Sequence, residues 1–76
     1  MKDVREILID IRPEYNFLEE VNFIEAGMLD SFDVITLVTE IEEAFKIQID
    51  GSNILPKNFA NIDSIEKLII LSGGKI

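Results

Sequence analysis

The sequence contains no cysteine and no histidine. That removes disulfides, thiolate and imidazole metal ligands, Ser-His and Cys-His nucleophilic pairs, and the commonest general base near neutral pH. Basic residues are scarce as well: 7 Lys+Arg stand against 15 Asp+Glu, a formal charge of −8. Such a surface repels phosphodiester backbones and anionic lipid headgroups, so nucleic acid is not an expected partner. Long hydrophobic runs are missing. The longest is Leu68-Ile69-Ile70-Leu71, far short of the ~20 apolar residues needed for a membrane span. Asp3, Glu6 and Asp10 interrupt the stretch where a secretory leader would carry its apolar core, and the expectation is a cytoplasmic protein.

What remains is a mixture able to fold: 76 residues, 47% apolar and 29% charged. Residues 1–76 read as one small, monomeric domain, with Ser72-Gly73-Gly74-Lys75 opening a frayed tail over 72–76. A chain of this size has little room for a substrate pocket of ordinary volume. With His and Cys also missing, it is expected not to be an enzyme.

Val4, Ile7, Leu8 and Ile11 recur at helical spacing and predict a helix over residues 2–12, stopped by Pro13. Between 14 and 30, Tyr15, Phe17, Leu18, Val21, Phe23 and Ile24 follow no clean period. This reads as a long first loop, pinned by a few of those side chains, with room for a helical turn. Asp30 or Ser31 caps a second helix reaching Lys46, whose core stripe is Val34, Leu37, Val38, Ile41, Ala44 and Phe45. Its other face carries Asp33, Glu40, Glu42 and Glu43, and between positions 30 and 43 there is no basic residue. Pro56 suits the first position of a short third helix through Ala60 with Phe59 turned inward. Asp63-Ser64-Ile65-Glu66 has the form of a capping box for a fourth helix running to about Leu71. Ile47-Gln48-Ile49 alternates too briefly to require a strand. The predicted fold is all-α: an up-down four-helix bundle of three longer helices plus one short, with a long first loop.

The segment Phe23-Ile24-Glu25-Ala26-Gly27-Met28-Leu29-Asp30-Ser31-Phe32 is the most informative. Gly27 permits a turn that a bulkier residue would resist. Ser31 falls where the free N–H groups and dipole of a helix favour a phosphate. No His or Lys beside it can take its proton, so a phosphoester there has to be made by another enzyme. Taken alone, Ser31 reads equally as a plain N-cap worth ~1 kcal/mol. Asp33, Glu40 and Glu43, with Glu42, form either a solvated face or a stripe that steers basic partners. Phe32, Ile35 and Thr39 lie beside those acids and off the core stripe, as an apolar contact patch; partial burial of Phe32 under the first loop is the other account. Asp50-Gly51-Ser52-Asn53 lacks the ligand pattern of a calcium loop, and no metal site is expected.

Gly27-Met28-Leu29-Asp30-Ser31-Phe32, followed by Leu37, Ile41, Glu42 and Phe45 and then Ile62 and Ile65, resembles the acyl carrier protein family, whose motif is Gly-x-x-Asp-Ser-Leu. The resemblance spans most of the chain. It implies that a phosphopantetheinyl transferase moves 4′-phosphopantetheine from coenzyme A onto Ser31, with Asp30 helping to place Mg²⁺ in the transferase complex. The arm would supply the thiol this chain lacks and hold an acyl or aminoacyl group as a thioester. A loading ligase and acyl-processing enzymes with basic docking surfaces would be the further partners. Phe32 in place of Leu resembles the D-alanyl carriers. Thr36 where Glu is usual and a shorter first loop also point away from bulk fatty-acid synthesis. The alternative function, from another class, is an acidic helical adaptor that binds a basic protein without any prosthetic group.

Overall fold

A computed structural model describes residues 3–18 and 20–76. Within them lie three α-helices, α1 (Val4–Ile11), α2 (Ser31–Phe45) and α3 (Ile62–Leu71), two 3₁₀ turns at Gly51–Asn53 and Pro56–Phe59, and no strand. The fourth predicted helix is therefore a 3₁₀ turn. Pro56 opens it and Phe59 is fully buried, as its sequence implies. Short i→i+3 turns suit so brief a connector, because a single α turn nucleates poorly.

Asp3 caps α1 by accepting the Glu6 amide at 2.8 Å, so the helix begins at Val4; the predicted start at Lys2 lies outside the described residues. Val4, Ile7 and Leu8 are buried, and α1 packs against both α2 and α3. The chain leaves α1 at Arg12, whose backbone is already extended ahead of Pro13. Beyond it, Phe17 and Phe23 meet edge to face at 5.1 Å in the core. A single helical turn, Ala26 N–H to Asn22 O at 2.8 Å, is wound around Asn22 and is not continued. The Phe23 amide then donates to Ala60 O at 2.7 Å, tying this segment to the start of α3. Leu18, by contrast, is exposed and pins nothing.

Leu37, Val38 and Ile41 carry α2 into the core, where they meet Leu8, Phe59, Ile65 and Ile69 among the buried set. Burying such side chains contributes roughly 1.5 to 3 kcal/mol each, which is what lets a chain this short hold one arrangement. Lys46 closes α2 in the left-handed region at φ 58°. The start of α3 differs from the sequence reading. Asn61, with φ −157°, is the cap and accepts the Ser64 amide at 2.7 Å; Asp63 sits inside the first turn and pairs with Lys67. Asn competes well for the cap, and its extended backbone already frames the helix entry. At the other end, residues 72–74, expected to fray, form a Schellman closure. Gly73 N–H bonds Ile70 O and Gly74 N–H bonds Ile69 O, with Gly73 at φ 95°. No helix among the described residues is long and apolar enough to cross a membrane.

Candidate functional site

The start of α2 is built by two acids that cap each other. Asp30 is the N-cap: its Oδ1 accepts the Asp33 amide at 2.9 Å, and Asp33 Oδ2 accepts the Asp30 amide at 3.0 Å. This reciprocal box leaves Ser31 as the first helical residue rather than the cap. The plain N-cap reading of Ser31 is thereby overturned. Its side chain is exposed, and its hydroxyl has no hydrogen-bond partner among the described residues. Gly27, at φ 76° with open space around it, turns the chain immediately before. Met28 and Leu29 are buried behind that turn, both donating their amides to Phe23 O, and so anchor the approach to Asp30.

Arg12 completes the arrangement from the far side of the first loop. Its guanidinium lies 2.7 Å from Asp33 Oδ2, 3.2 Å from Asp30 Oδ2 and 3.2 Å from Glu14. Burial pushes the Asp33 carboxyl up, but the Asp30 amide and then the Arg12 guanidinium outweigh it and hold its pKa below the ordinary value. The same bonds, to Asp33 first and Glu14 second, raise that of Arg12. The acidic stripe is therefore uneven. Asp33 is only 15% exposed and is spoken for, while Asp30 stays 60% exposed. Glu42 turns away and accepts the Ile49 amide at 2.9 Å. Glu40 and Glu43 are left as the outward charge.

Next to these acids, Phe32 is 80% and Ile35 63% exposed, so Phe32 is not covered by the first loop. Thr39 is exposed one turn on, its hydroxyl bonded to Ile35 O. An open apolar cleft of about 340 Å³ adjoins Ser31, walled by Ile24, Leu29, Val34, Ile35, Ile54 and Leu55. That volume falls within the range of ordinary small-ligand sites. The sequence had located such space in the core around Leu37, Ile41, Ile62 and Leu68. Three of these are tightly buried, and none of the four lines the cleft. A larger groove of about 510 Å³ lies between residues 17–23 and 60–63, with Glu20, Asn22, Asn61 and Asp63 on its walls and no hydroxyl nucleophile.

Two features of the site escaped the sequence. The Asp30-Ser31-Phe32-Asp33 spacing was legible as a capping box, since an acid at the cap and another three residues on is its signature. Arg12 carried no local signal at all, because it sits 21 residues from Asp33.

The chain matches the family model for the phosphopantetheine attachment site over residues 3–69. It belongs to this family. The family's domain is the site of covalent 4′-phosphopantetheine attachment, and the matched region contains all three helices with only the last two residues of α3 beyond it. No curated protein and no solved structure matches the chain significantly.

Proposed function

We propose that this protein is a carrier, not a catalyst, and that Ser31 is its attachment residue. The observation that carries the reading is the Ser31 hydroxyl: exposed, without a hydrogen-bond partner, and held on the first turn of α2 beside an apolar cleft. A phosphodiester at that position sits at the positive end of the helix, which favours it despite the acids nearby. In the loading step Ser31 Oγ attacks the phosphorus of coenzyme A that bears pantetheine. A new O–P bond forms, the bond from that phosphorus to the bridging diphosphate oxygen breaks, and adenosine 3′,5′-bisphosphate leaves. The serine proton passes to a base of the transferase, since this chain has no His and no Lys adjacent to Ser31.

Asp30 keeps Oδ2 at the surface while Oδ1 serves the cap, so Oδ2 is the oxygen able to face Mg²⁺ in a transferase complex. When bound, the arm supplies a thiol that holds an acyl or aminoacyl group as a thioester. Ile24, Leu29, Ile54 and Leu55 then offer an apolar wall to the cargo or the arm. Phe32, Ile35 and Thr39 with Glu40 and Glu43 make the face that partner enzymes with basic docking surfaces meet.

Incubation with coenzyme A, Mg²⁺ and a transferase of broad tolerance should add one phosphopantetheine to the wild-type chain by intact mass. No gain, under conditions that load a known carrier, removes the carrier reading. An adaptor acting through α2 would then be left, and it would capture its basic partner equally well as Ser31→Ala.

A further inference from the structure

We infer that Arg12 is a positioning residue for attachment at Ser31; the inference rests on the carrier reading above. Ser31 stands between two carboxylates, and a third, Glu14, is close by. Coenzyme A brings a diphosphate, so the group that must approach this hydroxyl is itself anionic. An uncompensated trio of acids would repel it. Arg12 is the cation the structure supplies there, and it contacts all three acids at once.

Its second effect is geometric. Asp30 and Asp33 each hold the other's backbone amide, which brings two like charges together in one capping box. Arg12 binds Asp33 Oδ2 through both Nε and Nη2, and Asp30 Oδ2 through Nη2. With the guanidinium removed, repulsion between the carboxylates opens the box and the first turn of α2 loses its fixed direction. Ser31 Oγ, which has no bond of its own to hold it, then samples orientations that do not reach the phosphorus. Charge and geometry act in the same sense. Arg12 comes from the end of α1, so the packing of α1 on α2 is what delivers it.

The test is transferase kinetics on Arg12→Gln and Arg12→Lys beside wild type, with folding followed by circular dichroism. For Arg12→Gln, kcat for transfer to Ser31 should fall about fivefold with KM for the carrier unchanged, because Arg12 lies off the Phe32 and Glu43 face. Arg12→Lys keeps the charge and loses the fork, so it should recover to within about twofold of wild type. Asp33→Asn should lose a similar factor, and the double variant with Arg12→Gln should be no slower than the worse single one. Wild-type kcat in a folded Arg12→Gln protein, a loss seen only in KM, or Lys performing no better than Gln would overturn the inference while leaving Ser31 as the attachment residue. Absence of loading in wild type would remove both.

Discussion

The chain carries the dipeptide Asp-Ser twice, at 30–31 and at 63–64, and each pair lies at the beginning of a helix. Their environments differ completely. In the first, aspartate is the cap and serine is the first helical residue, exposed and unbonded. In the second, Asn61 is the cap, which moves the pair two residues into α3; Ser64 is half-buried and its amide is bonded to the cap. The acids differ too, since Asp30 joins a box closed by Arg12 whereas Asp63 makes a lone exposed pair with Lys67. Two residues of register separate a hydroxyl that can be reached from one that braces a helix. The dipeptide itself means little; its phase against the helix start and the charge opposite it carry the information.

The sharpest way to break this comparison is to delete each hydroxyl in turn. Ser31→Ala should reduce loading to background, while Ser64→Ala should load like wild type and change stability by no more than about 0.5 kcal/mol. The two caps give a smaller contrast. Asp30→Ala and Asn61→Ala should each cost about 1 kcal/mol in urea unfolding, since each removes a side-chain cap. Only Asp30→Ala should also slow loading. Equal loading by both would mean that the structure of the α2 start is irrelevant to modification.

Acid titration probes the same difference through Asp33. Its folded pKa is depressed, so it contributes stability that is complete above the unfolded carboxylate pKa of about 4 and is lost as pH falls through the folded value. The stability gap between wild type and Asp33→Asn should therefore be constant near neutrality and shrink below about pH 4. A gap independent of pH would show that the carboxylate charge plays no part in closing the box. The smallest expected effect belongs to the outward acids. Neutralising Glu40 and Glu43 should slow association with a basic partner enzyme a few-fold at low salt, and less at higher salt as screening sets in. Matching rates across a salt series would make that face passive.

Much of the frame was legible because it depends on local periodicity. Val34, Leu37, Val38 and Ile41 mark the buried face of α2 wherever the rest of the chain goes, and Gly27 announces the turn before it by tolerating positive φ. The start of α3 was misread because two good caps compete within three residues, and backbone direction, not residue type, chose Asn61 over Asp63. Pro56 and Phe59 fixed the place of the connector but not its 3₁₀ pitch. The charge pattern on α2 was the least legible part. Reading five acids as one stripe ignores that Arg12 arrives from α1 to hold two of them and that Glu42 bends back to Ile49. Such pairings depend on how α1 packs on α2, and no spacing rule contains them.

The most direct measurement is residue-level mapping of the modification. The protein purified from cells, digested and fragmented in a mass spectrometer, should carry phosphopantetheine on Ser31 and on no other hydroxyl. A modification mapped to Ser64, to Ser52 or to any threonine, or a chain fully unmodified where a known carrier is loaded, would contradict the account.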